Sequence, residues 1–201
     1  MIWHYIKNII KRYFGKPDDK EWFNKLVENL ENKKAENANL PFKILEARNE
    51  GFLVKIAGLY AFISFYHMPW KYYNTDSWVA VSSKLIDKIF YCKIHSIKKE
   101  PLSVLIDGEI PQFKKMELIV GQKYRGIIIG RFRKALQVDI GYHFDWKYGS
   151  FVGFLKKAQY NNSKQLFSRH FLGEEIEVFY HGLSEKGRFV FSQFESTEKK
   201  L

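Results

Sequence analysis

Between Lys123 and Arg169, ten basic side chains stand against two acids, Asp139 and Asp145. The same stretch holds Tyr142, His143, Phe144, Trp146 and Tyr148. Positive charge that tracks phosphates, beside flat rings that stack on bases, is what binding of a single-stranded nucleic acid requires. The candidates for phosphate contact are Lys123, Arg125, Arg131, Arg133, Lys134, Lys156 and Lys157; those for stacking are Tyr142, Phe144 and Trp146. The same rings would serve equally as a plug folded onto the protein itself, and composition does not separate the two. A second aromatic run, Met68-Pro69-Trp70-Lys71-Tyr72-Tyr73, carries residue types enriched at protein interfaces. It nominates Trp70, Tyr72 and Tyr73 for a partner contact, with a place in the core as the alternative.

Other chemistry finds little support. The six histidines, His4, His67, His95, His143, His170 and His181, show no metal-binding spacing, and Cys92 is the single cysteine. No metal, cofactor or disulfide is therefore predicted, and Cys92 reads as a small strand residue in a reducing, cytoplasmic setting. There is no phosphate-binding glycine loop, no nucleophile elbow and no evident acid/base carboxylate pair, so the expectation is a protein that is not an enzyme. Over 201 residues, 33 Lys and Arg against 22 Asp and Glu give a net charge of +11. Such a field attracts polyanions such as RNA, although a basic surface alone would also produce it. A hydrophobic fraction of 46% predicts packed cores.

The elements that must position these residues come in a repeated order. Met1–Lys16 reads as a short basic amphipathic helix, open to packing on the barrels, docking on a partner or lying on a membrane surface. Its charges interrupt any run long enough to span a bilayer. Gly15-Lys16-Pro17 ends it, and Asp18 with Glu21 reads as a capping box for a helix to about Lys34, whose apolar face is Trp22, Phe23, Leu26, Val27 and Leu30. From Phe42 the period changes to two. Strands are predicted at Phe42–Ala47, Gly51–Ile56, Leu59–Phe65, Leu85–Ile97 and Leu102–Ile106, with His67–Val79 irregular and a short turn or helix near Ser82–Lys84. The order then restarts at Tyr124–Ile129, Leu136–Ile140, Ser150–Leu155, Glu175–Tyr180 and Arg188–Phe191. Five short strands, twice, with a helical or irregular stretch between the third and fourth, is the layout of an OB-fold barrel.

The second half resembles the RNA-binding OB repeat of the bacterial ribosomal protein S-one. The likeness rests on Val120-Gly121-Gln122-Lys123-Tyr124-Arg125-Gly126, on Val138-Asp139-Ile140-Gly141, and on the closing hairpin from Phe171 to Ser192. The first half, with Glu50-Gly51-Phe52-Leu53-Val54-Lys55-Ile56 and Gly58-Leu59-Tyr60-Ala61-Phe62-Ile63, is similar to the variant repeats that dock on the ribosome. The phenylalanine pair that RNA-binding members carry on the second strand aligns with Glu50 and Leu53, and with Lys134 and Gln137. The third-strand histidine falls on Ser64 in the first repeat and on no histidine in the second. The resemblance thus implies the fold while the usual stacking rings are replaced.

The expectation is a mainly β chain with N-terminal helices and two tandem five-stranded OB-fold barrels: helical residues 1–38, a first repeat 39–111, a second 112–195 and a charged tail 196–201. The function it implies is noncatalytic binding of single-stranded RNA or the ribosome, in translation or on mRNA. A protein partner would meet the first repeat or the N-terminal helices. The alternative is an adaptor whose barrels hold a larger ribonucleoprotein assembly together.

Overall fold

The computed structural model describes residues 17–156 and 170–195. The expected helix over Met1–Lys16, Lys157 and the charged tail from Ser196 lie outside the described residues. Helix α1 covers Pro17–Ala35. Asp18 lies within this helix. Val27 and Leu30 are buried, Leu26 packs over the turn at Gly58, and Glu31 pairs with Lys99 at 3.1 Å. The helix therefore lies against the first barrel.

That barrel is built from β1 (Leu40–Arg48), β2 (Gly51–Ile56), β3 (Leu59–Ser64), β4 (Ile89–Lys99) and β5 (Leu102–Asp107). The second is built from β6 (Lys123–Phe132), β7 (Ala135–Asp139), β8 (Val152–Lys156), β9 (Glu175–Leu183) and β10 (Phe189–Ser192). Each sheet closes in the same order: first strand to second to third, third to fifth in parallel, fifth to fourth, and fourth back to the first. The likeness extends to irregularities. The first strand of each barrel carries a bulge against the second, at Ile44/Glu46 and at Ile128/Gly130, and bulges sharpen the bend a small barrel needs. Ile56 pairs with Leu59 across Ala57-Gly58, both with positive φ, the two-residue turn whose twist matches a hairpin.

Helix α2 (Thr75–Leu85) joins β3 to β4 and is longer than the short turn expected near Ser82. Its start is encoded locally: Asn74 is the N-cap, its Oδ1 accepting from the Ser77 N–H at 2.9 Å. Trp78, Val81 and Leu85 form its buried face. None of the described helices is long and apolar enough to cross a membrane.

Strand β6 explains how the barrels join. A half-buried strand alternates inside and out, yet Ile127, Ile128 and Ile129 are all fully buried. Ile128 belongs to the core of the second barrel, with Tyr124, Leu136, Val138 and Phe191, whereas Ile127 and Ile129 belong to the core of the first. Helix α2 packs on the outer face of β6, and Ser77 Oγ donates to the Ile129 carbonyl at 2.9 Å inside that contact. Burial of each outward isoleucine contributes about 1.5–3 kcal/mol. Ile129→Ala is expected to cost about 2–4 kcal/mol in urea unfolding followed by tryptophan fluorescence, and to broaden or split the transition as the barrels lose their common core. An unchanged midpoint would show that this face contributes nothing to cooperativity.

Candidate nucleic-acid interface

The aromatic insertion between β7 and β8 is organised from within. Asp139, the last residue of β7, is fully buried. Its Oδ1 accepts from the N–H groups of Gly141 at 2.8 Å and Phe151 at 2.9 Å, and its Oδ2 from Trp146 Nε1 at 3.0 Å, Ser150 Oγ at 2.9 Å and the Tyr72 hydroxyl. A carboxylate removed from water is tolerated only with its acceptor sites filled. The chain from Ile140 to Phe151 is therefore wound around this group, with Asp145, Trp146 and Gly149 at positive φ. Gly141 is required here, since a Cβ would lie 2.5 Å from the Gly149 carbonyl oxygen.

This winding decides which rings reach solvent. Trp146 is fully buried and lies parallel to Trp70 at 6.3 Å. It is removed from the stacking candidates because its ring is spent between the barrels. Phe144 is half-buried against Tyr124, Tyr148 and Phe151. Tyr142 is half-buried too: its hydroxyl donates to Glu175 Oε1 at 2.8 Å, and Lys84 Nζ and the Arg125 guanidinium lie 5.6 and 5.8 Å from its ring. Lys84 in turn pairs with Glu175 at 2.5 Å. Lys84 first and Tyr142 second hold the Glu175 carboxyl below its ordinary range.

The partner candidates divide in the same way. Trp70 is buried among Trp78, Phe90, Phe113 and Trp146, so it belongs to the seam. Tyr72 is committed to Asp139, and burial, followed by the Asp139 charge, pushes its hydroxyl well above the usual tyrosine range. Tyr73 is 93% exposed and is the member of the three that faces solvent. Burial pushes the Cys92 thiol up to about 12, so at neutral pH it is not a thiolate.

The basic residues form two groups rather than one. Arg131, Arg133 and Lys134 are exposed at the two-residue turn between β6 and β7, and Lys156 is brought beside them because Ala135 pairs with it. Lys123 and Arg125 lie at the opposite end of β6, roughly 20–30 Å away at the rise of an extended strand. There Lys123 pairs with Glu177 at 3.4 Å and Arg125 lies over Tyr142.

Beside the turn group is a platform that alignment of the repeats did not reveal. Phe154 on β8 pairs with Gln137 on β7, both on the outer face of the barrel. Phe132, 49% exposed at the end of β6, lies 6.0 Å from Phe154, and the Arg188 guanidinium sits 5.6 Å over the Phe154 ring. Two rings and a stacked guanidinium thus lie next to Arg133, Lys134 and Lys156. The signal was present in strand parity: Gly153 and Leu155 face the core, so Val152, Phe154 and Lys156 face out. In the first barrel the corresponding face pairs Leu53 with Phe62 and Lys55 with Tyr60. Its first turn carries less free charge, since Arg48 is paired with Glu46 at 2.7 Å.

No family model and no curated protein matches the chain. Among solved structures, a multidomain protein with nucleic acid binding domains from Streptococcus pneumoniae is 15% identical with a TM-score of 0.33, covering 81% of this chain and 54% of its own. Drosophila Unr CSD456 is 9% identical with a TM-score of 0.25, covering 82% of this chain and 65% of its own. The chain therefore spans less than two thirds of either.

The Asp139 knot yields a pH test. A Tyr72 hydroxyl whose affinity for its proton is raised by folding contributes stability that is intact below pH 10 and lost as pH rises above it. Tyr72→Phe is expected to cost about 1–3 kcal/mol at pH 7 by leaving an acceptor site of Asp139 unfilled. It is also expected to flatten the fall in stability above pH 10, read from urea midpoints at each pH. Parallel curves for the two proteins would refute a role for this hydroxyl in the seam.

Proposed function

We propose that the chain is a noncatalytic RNA-binding protein of two OB folds of the S-one kind, acting in the cytoplasm on mRNA or at the ribosome. The observation that carries this reading is the outer face of the second barrel, where Phe132 and Phe154 lie 6.0 Å apart with Arg188 over one ring and Arg133, Lys134 and Lys156 beside them. Bases stack on the rings and phosphates meet the cations, an arrangement that favours single strands and tolerates many sequences. The matching strand order of the two sheets and the residues of the S-one resemblance support the OB assignment. The stacking residues differ from those expected from the insertion, while Arg131, Arg133, Lys134 and Lys156 keep their role.

The reading is tested by anisotropy titrations of single-stranded RNA over a salt series. Arg133→Ala with Lys134→Ala is expected to weaken binding and to lower the salt slope by about 0.7 for each phosphate no longer neutralised. Phe154→Ala is expected to cost about 1–3 kcal/mol while leaving that slope unchanged. Equal affinities and slopes for parent and variants would refute the placement.

A second reading is favoured by the first barrel, where Tyr60, Tyr66, Ile89 and Tyr91 are exposed and the first turn is partly neutralised by the Arg48–Glu46 pair. Such a surface suits protein docking, making the chain an adaptor in a ribonucleoprotein assembly. Pull-down with the full chain before and after nuclease and high salt separates the two. Loss of every partner supports RNA binding alone, and retention of a protein that Tyr60→Ala with Tyr91→Ala releases supports docking.

A further inference from the structure

The histidines lack metal spacing in the sequence, yet the first barrel brings together three groups able to ligate a metal, from the turn after β3 and the end of β5. The ligand atoms of His67, Asp107 and Glu109 all lie within 4.8 Å of one another. His67 closes the 3-10 turn after β3, and Asp107 is the last residue of β5. Gly108 pins the two segments together: its N–H donates to the His67 carbonyl at 2.7 Å, and a Cβ there would lie 3.0 Å from that oxygen. Asp107 and Glu109 therefore flank the point where the backbone touches His67.

The surrounding groups hold these side chains in place. Ser64 Oγ is 2.8 Å from His67 Nδ1, which orients the imidazole and leaves Nε2 as the free nitrogen. Asp107 Oδ1 accepts from the Glu109 N–H at 2.8 Å. The His95 ring lies 5.6 Å from that of His67 but is not one of the three residues whose ligand atoms converge within 4.8 Å. A hydrogen-bond partner at the far ring nitrogen of a ligating histidine fixes its tautomer and orientation, and here the Ser64 hydroxyl fills that place.

We propose that His67, Asp107 and Glu109 bind a divalent transition-metal ion of the zinc type, with water completing a four-coordinate shell. Imidazole nitrogens mixed with carboxylate oxygens suit zinc and its neighbours, whereas calcium and magnesium prefer oxygen alone. The ion staples the exit of β5 to the turn after β3. Lys71 is its rival: its Nζ pairs with Glu109 Oε1 at 2.5 Å and also reaches the carbonyls of Tyr66 and Met68. Metal entry displaces the lysine from Glu109 and leaves it on those carbonyls.

The test is calorimetric titration of the full chain with zinc chloride, with cobalt(II) absorption reporting coordination geometry. One equivalent is expected, with the intense visible bands of a four-coordinate site and a rise in Tm on loading. His67→Gln and Glu109→Gln are each expected to weaken binding at least tenfold, Ser64→Ala roughly tenfold, and Lys71→Met to tighten it. Glu109 is exposed, so its variant reports on binding even where the His67 change disturbs folding, which circular dichroism checks. The absence of stoichiometric uptake, or uptake equal in the parent and in Glu109→Gln and Lys71→Met, would overturn the proposal.

Discussion

A carboxylate buried between two barrels must have its acceptor sites filled, and in this molecule that requirement organises both the loop that carries it and the domain that faces it. Asp139 takes four of its five donors from its own insertion, which is why twelve residues rich in aromatics form a compact knot rather than an open loop. The fifth donor, Tyr72, comes from the connection between β3 and β4 of the first barrel. A buried acceptor left unfilled costs more than a typical hydrogen bond contributes, so docking of the first barrel fills the last acceptor site of Asp139. The parallel Trp70 and Trp146 rings, the Ser77 bond to β6 and the Lys88–Asp145 pair at 2.8 Å extend the same contact.

The seam divides the labour of the aromatic residues. Most of the large rings that stand out in the sequence are consumed in packing: Trp70, Trp78 and Trp146 are buried, while Tyr142 and Phe144 are partly covered. On the outer face of the second barrel, Phe132 and Phe154 are left beside Arg133, Lys134 and Lys156. Charge is divided in a similar way along β6. At one end Glu175 and Glu177 balance the cations, and at the other Arg133 and Lys134 meet no acid among the described residues. The net charge of the region therefore overstates what a polyanion meets at either place.

Much of the architecture was legible in the residues because glycine turns and a period of two are local. The ten strands lie close to where alternation puts them, and Gly51–Ile56 coincides in full. Helix α2 was hidden by the irregular run before it, although Asn74-Thr75-Asp76-Ser77 spells a cap. The Gly126-Ile127-Ile128-Ile129-Gly130 run was the visible sign of a strand covered on both faces, a pattern that alternation alone would not produce. The fate of the insertion was not legible, because a plug and a base-stacking loop share one composition. What separates them is a bond between Tyr72 and Asp139, 67 positions apart. The grouping of His67, Asp107 and Glu109 was hidden for the same reason: His67 follows β3 while Asp107 and Glu109 lie at the end of β5, and no spacing along the chain announces them.

The shared burial of β6 has a consequence for any ligand that touches both halves. Two modules on a flexible tether search for their second contact, and the tether sets an effective concentration that falls as it lengthens. Here the connecting segment between β5 and β6 is supplemented by β6 itself, packed in both cores, which holds the outer faces of the two barrels in one arrangement. If a ligand touches both barrels, such packing would act as a caliper: one of matching span would gain the second contact with little further loss of freedom, and one of the wrong span would gain nothing from it.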